Sequence, residues 1–261
     1  MDEIKTFEYL YFKFGRCSLI NGRFFWGVTS VIGNSLSTPE GLRRWQANLG
    51  WENSEYEKSK SAEFGTDVHN KLETIGNLLI AANQEVLWNK YDFGDKNIIR
   101  DFLNYTYNKV GKFTDVLKDK MVYAWMEFVE MERVFFLGTE MKLLSNKHRY
   151  AGTADAKVLM YYKTDLERRA ILDYKTSNRL RSSYIPQLSA YKQTCIESGE
   201  EKEKELDTYL LRFKKGEFDG KPYELKKTEY RFDIFLSMLT TVKWYVVEEY
   251  NFNPEIANKG W

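Results

Sequence analysis

The chain has 261 residues, of which 43% are hydrophobic and 30% charged, and its formal net charge is +1. These proportions are typical of a folded globular protein and exclude an intrinsically disordered one. A net charge near zero also excludes a general electrostatic attraction to nucleic acid or membranes, so any polyanion must be held by a local patch of charge.

Only two cysteines occur, Cys17 and Cys195, which suits a reducing compartment. They are too few for a zinc finger or for a four-cysteine iron–sulfur cluster. The first residues lack the basic-then-apolar layout of a signal peptide, and no run approaches the roughly 18 apolar residues of a membrane span. We therefore predict a cytoplasmic protein with no membrane partner.

The first half of the chain is predicted to hold one β-hairpin followed by four helices. Asn21-Gly22 supplies the tight turn of the hairpin. In the first helix we expect Thr38 as the N-terminal cap, Pro39 in the first turn and Gly50 as the stop. The predicted bounds are 16–28 for the hairpin and 38–50, about 54–82, 95–110 and 114–133 for the helices.

The second half is predicted to be a mixed β-sheet with two helices. Strands are expected at 133–145, 153–162, 168–177, 207–213 and 222–230, and helices at 182–198 and 231–250. The charge run at 197–207 is expected to be a solvated loop. Since there is no internal repeat or long linker, we predict one α/β (α+β mixed-sheet) domain over 1–261. Its front part, a hairpin and helices, covers 1–133, and its mixed-sheet core covers 134–261.

Two aspartates lie on neighbouring predicted strands that a polar loop joins. The midpoint of Asp155 and Asp173 is position 164, which falls inside the loop Lys163–Glu167. In a symmetric antiparallel hairpin these residues face each other, with Cβ atoms roughly 4.5–5.5 Å apart. Like charges at that distance are destabilising unless a cation lies between them. Carboxylate oxygens favour Mg²⁺ or Mn²⁺, so the hairpin predicts a metal site.

Lys175 follows Asp173 by two residues, so both side chains point to the same face of the strand. An ammonium group beside a carboxylate-bound metal can orient a water molecule or stabilise charge on a phosphate. The alternative is an ordinary surface salt bridge, because Asp-x-Lys is a common strand pattern. The pairing of Asp173 with Asp155 favours the functional interpretation.

The helix predicted after this strand places Gln187 and Tyr191 on one face, since they are four residues apart. Both side chains can bond a phosphate oxygen or stack on a base. The alternative is that Tyr184, Leu188 and Tyr191 form an apolar stripe against the core.

A short stretch around the start of this helix is basic without any acid. Between Lys175 and Cys195 the charged residues are Lys175, Arg179, Arg181 and Lys192. In a chain with balanced charge, such a stretch is typical of a strip that binds the sugar–phosphate backbone. We include Ser177 in the predicted nucleic-acid-binding set.

Taken together, these motifs resemble the PD-(D/E)XK nuclease superfamily, in particular its RecB-like branch. The four motifs, in chain order, are His69 within "GTDVH", Gly152-Thr-Ala-Asp155, Asp173-Tyr-Lys175 and Gln187-Leu-Ser-Ala-Tyr191. The stretch 28–50 further resembles phage-type and mitochondrial genome-maintenance exonucleases. The resemblance covers about residues 26–195. A lone histidine on a helix is usually structural, so His69 matters only if its helix crosses the carboxylate site.

The resemblance implies an αβββαβ core with a metal site and a catalytic lysine, Lys175. The ligands that it implies for one or two Mg²⁺ or Mn²⁺ ions are His69, Asp155, Asp173 and the main-chain carbonyl of Tyr174. Gln187 and Tyr191 fall on a motif linked to substrate binding. Glu140 lies where relatives often carry an additional acid near the site.

These observations predict a metal-dependent deoxyribonuclease that acts in replication, recombination or repair, in the cytoplasm of a bacterial or phage-infected cell. The expected activity is that of an exonuclease on single-stranded DNA or on DNA ends. Two alternatives stay open, an endonuclease of the same superfamily and a non-catalytic nucleic-acid-binding protein with this fold. The cysteines that ligate an iron–sulfur cluster in some relatives are missing, and so is a phosphate-binding G-x-x-x-x-G-K-[ST] loop. The sequence indicates neither protein partners, nor the polarity of digestion, nor a role for residues 200–261.

Overall fold

The computed structural model describes residues 6–12, 15–82, 96–160, 168–216 and 220–252. Within these ranges the strands join into one mixed sheet, which confirms the predicted α/β class. The strands are β1 (Phe7–Phe12), β2 (Gly15–Ile20), β3 (Arg23–Gly27), β4 (Phe135–Ser145), β5 (Tyr150–Met160), β6 (Arg168–Lys175), β7 (Leu206–Phe213) and β8 (Tyr223–Lys227). The helices are α1 (Val28–Ser35), α2 (Glu40–Leu49), α3 (Trp51–Ala82), α4 (Lys96–Val110), α5 (Val116–Met131), α6 (Tyr184–Glu197) and α7 (Phe232–Phe252). None of the described helices is both long enough and apolar enough to cross a bilayer.

Strand β5 is the centre of the sheet because it pairs with three other strands. β4 runs antiparallel along one edge of β5, from Tyr150 to Leu159. The opposite edge is shared, since β3 pairs in parallel with Tyr150 and Ala151 and β6 pairs antiparallel with residues from Ala156 to Met160. Between these two ladders, residues 152–155 have no ladder partner among the described strands on that edge. The sheet is therefore open beside Asp155.

The predicted hairpin between β5 and β6 is confirmed, with its register. Ala156 pairs with Leu172 and Met160 pairs with Arg168, and the residue numbers in each pair have the midpoint 164. Continuing this register by one residue places Asp155 opposite Asp173. The connecting loop, residues 161–167, lies outside the described residues.

The front part of the chain agrees with prediction in its long elements and differs in its short ones. The hairpin of β2 and β3 turns at Asn21-Gly22, where both residues have positive φ angles of 49° and 70°. Gly50 ends α2 with a φ of 78°. The predicted cap Thr38 is wrong, because the N-cap of α2 is Pro39 and no side chain caps the helix. Strand β1 and helix α1 were not predicted.

Two apolar cores lie on opposite faces of the sheet, and alternate residues of β6 contribute to each. Ala170, Leu172 and Tyr174 pack in the first core, against α3, α4 and α5. Ile171 packs in the second core, with α1, α6 and α7. Since side chains alternate along a strand, Asp173 and Lys175 point to the face that carries α6. This face of the sheet and the opening beside Asp155 together position the site.

The charge run at 197–207 is not fully solvated, which corrects the prediction for Glu201. Its side chain is only 2% exposed, and one carboxylate oxygen lies 2.8 Å from Lys157 Nζ and 3.1 Å from Arg169 Nη1. Lys157 lies on β5 and Arg169 on β6. A carboxylate from the loop thus neutralises an ammonium group that is buried under the sheet.

Replacing Glu201 with alanine is expected to lower the free energy of unfolding by about 3 kcal/mol, because it leaves the Lys157 ammonium buried without its closest partner. Urea denaturation followed by circular dichroism measures the change. Glu203→Ala, an exposed glutamate of the same loop, is the matched control and should change the free energy by less than about 0.5 kcal/mol. Equal effects of the two substitutions would contradict this account of the ion pair.

Candidate metal and catalytic site

Three carboxylates lie in a row across the neighbouring strands β4, β5 and β6. In the β4–β5 ladder Thr139 pairs with Ala156 and Met141 with Ala154, so Glu140 faces Asp155. On the other side of Asp155, the β5–β6 ladder ends at Ala156 and Leu172, one residue short of Asp155 and Asp173, and these two carboxylates interact electrostatically. We call Glu140, Asp155 and Asp173 the carboxylate row. The pairing of Glu140 with Asp155 was not deduced from the strand pattern, and only the resemblance pointed to Glu140.

His69 joins this row from helix α3. Its Nδ1 lies 3.2 Å from Asp155 Oδ1, and its side chain is 27% exposed. The helix approaches the sheet closely at Gly76, where a Cβ atom would lie 2.7 Å from the Thr139 methyl group. The condition that made His69 functionally relevant, a helix that crosses the carboxylates, is thus met.

One imidazole and two carboxylates are close enough together to hold a cation. Ligand atoms of His69, Glu140 and Asp155 all lie within 4.8 Å of one another. Nitrogen and carboxylate donors of this kind suit Mn²⁺ well, and the oxygen atoms suit Mg²⁺. Asp173 does not belong to this three-residue group, although it was predicted as a ligand. In its place stands Glu140, which was predicted only as an additional acid.

Glu140, at the β4 end of the carboxylate row, adopts an unusual backbone conformation. Its φ is 44°, in the left-handed region that residues other than glycine rarely adopt. Such strain costs on the order of 1–3 kcal/mol and is concentrated at functional sites. Burial, together with the neighbouring charge of Asp155, raises the pKa of the Glu140 carboxyl to about 7.

This raised pKa gives Mn²⁺ binding an expected pH dependence. Glu140 must lose its proton before it can ligate, so below about pH 7 the apparent dissociation constant should rise by up to about tenfold per pH unit. Burial lowers the pKa of the His69 imidazole, but the carboxylates of Asp155 and Asp173 outweigh it and raise that pKa, so the dissociation constant should level off only where both ligands are deprotonated. Calorimetric titration with Mn²⁺ between pH 5.5 and 8.5 measures the profile. In Glu140→Gln, which has no proton to lose at this position, the profile should be flatter. An unchanged profile in that variant would assign the proton to another ligand.

Asp173 and Lys175 form a tight ion pair on the face of the sheet that carries α6. Lys175 Nζ lies 2.6 Å from Asp173 Oδ2, and the two side chains are 15% and 4% exposed. Among the described residues this buried oxygen has no hydrogen bond of good geometry, so the ammonium group is its one close polar contact. A buried carboxylate oxygen that accepts so few hydrogen bonds can bind a further cation, which fits the predicted metal chemistry.

The charges of the site shift one another's protonation. Burial raises the pKa of Asp173 to about 6, and the nearby Asp155 adds to this. Burial acts in the same direction on Asp155, but the positive charges of His69 and Lys175 outweigh it and lower its pKa. Burial lowers the pKa of the Lys175 ammonium, and the carboxylates of Asp173 and Asp155 reverse that effect and raise it. Lys175 therefore stays charged at neutral pH.

Tyr174 lies between Asp173 and Lys175 on β6 and contacts Asp155 of the carboxylate row. Its backbone N–H donates a hydrogen bond of 2.5 Å to Asp155 Oδ2, which holds the carboxylate beside the opening in the sheet. Its ring packs in the first core, 5.9 Å from the ring of His69. The role of its main-chain carbonyl as a metal ligand stays a prediction.

Gln187 and Tyr191 lie behind Asp173 rather than on the surface. Gln187 Nε2 donates to Asp173 Oδ1 at 3.0 Å and to the Tyr191 hydroxyl at 3.2 Å. Both residues are buried. Tyr191 reaches this position because Gly152 lacks a side chain, since a Cβ atom there would lie 2.6 Å from the tyrosine ring. In this arrangement they orient Asp173, and contact with a nucleic acid stays a prediction for them.

Part of the predicted basic strip lies on the surface next to the site. Arg179 and Arg181 are exposed on the segment that follows β6, and Ser177 Oγ donates to the carbonyl of Arg179 at 2.9 Å. Arg212 on β7 fixes this segment through the carbonyl of Asn178, at 2.8 Å. Lys192 does not belong to the strip, because it is buried with its ammonium 5.1 Å from the centre of the Tyr230 ring.

A polar pocket beside the site was not predicted. The Arg16 guanidinium lies in it, 4.5 Å from the centre of the Tyr9 ring. The other polar side chains that line the pocket are Ser18, Thr29, Thr153 and Tyr191. A cation among hydroxyl groups suits an anion. No local pattern could reveal this pocket, because it combines β1, β2, the start of α1 and β5.

Comparisons with known proteins add no evidence to that from the geometry of the site. Neither a family model nor a curated protein matches the sequence. The carboxylate row, His69 and the Asp173–Lys175 ion pair therefore carry the functional conclusion by themselves. They describe a candidate cation site with an ammonium group beside it.

Proposed function

We propose that this chain is a metal-dependent deoxyribonuclease of the PD-(D/E)XK type that acts as an exonuclease on single-stranded DNA or DNA ends. The observation that carries the proposal is the carboxylate row with His69 on one side and Lys175 on the other. Like charges this close together destabilise a fold unless a cation lies between them. A site that keeps them suits a divalent cation.

The order of elements supports the same proposal. A long helix that carries His69 precedes three antiparallel strands, β4, β5 and β6, and these are followed by α6 and by β7, which runs parallel to β6. Apart from α4 and α5, which lie between α3 and β4, this is the succession expected for the αβββαβ core that the motifs imply, and it supports the proposal.

The residues of the site have distinct proposed roles. His69, Glu140 and Asp155 would hold Mg²⁺ or Mn²⁺, with Asp173 and the carbonyl of Tyr174 as further ligands for this ion or a second one. When bound, such an ion supplies a water molecule of lowered pKa and polarises the phosphate. Lys175 stabilises negative charge that develops on the phosphodiester, and Asp173 holds its ammonium group in place. Gln187 orients Asp173 through its amide group.

The surroundings of the site offer contacts to a DNA backbone. Ser177, Arg179 and Arg181 lie beyond the end of β6, directly after Lys175. Arg16 lies in the polar pocket beyond Tyr191. These positive groups would contact phosphates without reading the base sequence.

The experiment that tests the proposal is Mg²⁺-dependent digestion of end-labelled linear single-stranded DNA beside a circular single strand. Loss of the linear strand alone, abolished in Lys175→Ala, is the expected result. Cutting of the circle would make the protein an endonuclease, since a circle has no ends. Mn²⁺-dependent thermal stabilisation without cleavage of single-stranded or duplex DNA would replace the proposal by the non-catalytic binding protein.

A further inference from the structure

The ammonium group of Lys175 has a second contact that the motifs do not include. Its Nζ lies 4.3 Å from the centre of the Tyr184 ring and 2.6 Å from Asp173 Oδ2. A cation over the face of an aromatic ring is attracted by the ring's negative charge distribution, and more strongly where water is excluded. Lys175 is 15% exposed, so its environment is largely desolvated.

Tyr184 is held in this position by its place on helix α6. It precedes Gln187 by three residues and Tyr191 by seven, so the three side chains share one helix face. The ring packs at the border of the second core and is partly buried. The ring is the part of the side chain over which the Lys175 ammonium lies.

From this geometry we infer that Tyr184 is a positioning residue, whose ring holds the Lys175 ammonium in the orientation that the reaction needs. The inference rests on the proposed function of the site. Without the ring, the flexible lysine chain would keep its ion pair with Asp173, and Nζ could take up other positions around that carboxylate. The aromatic face restricts these positions because it attracts the cation, and it leaves N–H bonds available to the substrate because it accepts no directed hydrogen bond.

The test compares replacements that keep the ring with replacements that remove it. Tyr184→Phe keeps the ring and should cleave linear single-stranded DNA within about twofold of the wild-type single-turnover rate. Tyr184→Leu and Tyr184→Met keep apolar bulk and should cleave about tenfold more slowly, which corresponds to about 1.4 kcal/mol and lies in the range of a partly desolvated cation–π contact. The dissociation constant for DNA, measured with EDTA, should not change. Circular dichroism identifies the folded variants, and Met serves if Leu does not fold.

Tyr230→Leu is the matched control. It removes an aromatic ring whose centre lies 5.1 Å from the ammonium of Lys192, a lysine on α6 away from the site. It should leave the cleavage rate unchanged. Leu and Met variants as fast as wild type would overturn the inference, and so would a Phe variant as slow as Leu. Weaker DNA binding at an unchanged rate would also overturn it. An inactive wild-type protein would overturn the proposed function and this inference with it, so the two failures are distinguishable.

Discussion

Replacing Lys175 with alanine is expected to lower the rate of Mg²⁺-dependent DNA cleavage by on the order of a thousandfold. Removal of one group that stabilises transition-state charge in a water-poor site typically has an effect of this size. Lys175 is the cation next to the carboxylate row, 2.6 Å from Asp173. Single-turnover digestion of a linear strand measures the loss. Asp173→Ala should have a similar effect, because it removes both the partner of the ammonium and a proposed ligand.

Lys192→Ala is the control for this change, since Lys192 is a buried lysine on α6 whose ammonium lies against the Tyr230 ring. It is expected to cleave DNA at the wild-type rate. Retained cleavage in Lys175→Ala would remove the ammonium from the reaction. Retained DNA binding in that variant is expected, because the exposed Arg179 and Arg181 are unchanged.

Asp155→Asn is expected to weaken Mn²⁺ binding by about a hundredfold or more and to abolish cleavage. Asp155 is the middle member of the carboxylate row, and its two oxygen atoms contact His69 Nδ1 and the N–H of Tyr174. An amide has no negative charge for a cation, and its NH₂ group cannot accept the hydrogen bond that one of these oxygens now accepts. Metal ligands contribute at least as much affinity as their supporting residues, whose loss costs 10–100-fold.

Calorimetric titration with Mn²⁺ measures this loss independently of any activity. Asp207→Asn on β7 is the matched control, because Asp207 is a carboxylate of the same sheet that is paired with Lys227 at 2.7 Å. It should bind Mn²⁺ like the wild type. Equal Mn²⁺ affinity in the Asp155 and Asp207 variants would show that the carboxylate row is not the metal site.

The long elements of the fold were predictable because each has a repeated pattern of its own. Amphipathic helices such as α3 and α5 repeat their apolar period over several turns, and strand β6 is marked by a run of buried residues. The register of β5 and β6 followed from the loop position alone, since a symmetric hairpin has one midpoint. Helix α1 was missed because eight residues give little more than two helical turns and no side chain caps it, and the position of β1 depends on its pairing with β2.

The residues of the site also differ in how far the sequence could predict them. Asp155, Asp173 and Lys175 could be brought together from one hairpin, so local geometry was sufficient. His69 and Glu140 were found only through the resemblance. The roles of Tyr184 and Arg16 could not be predicted, because they depend on where α6 and β2 pack against the sheet. The burial of Glu201 has the same cause, since its partner Lys157 lies on a distant strand.

The chain order of β4, β5 and β6 has a consequence for how the site assembles during folding. The carboxylate row comes from three successive strands, so the contacts that form it close short loops and have low contact order. His69 must instead arrive from α3, a separate segment far earlier in the chain. We therefore expect the acidic part of the site to form with its hairpins and the histidine to complete it on docking of the long helix. A cation that binds both parts would then act as a link between helix and sheet, so that metal binding and docking of α3 stabilise each other.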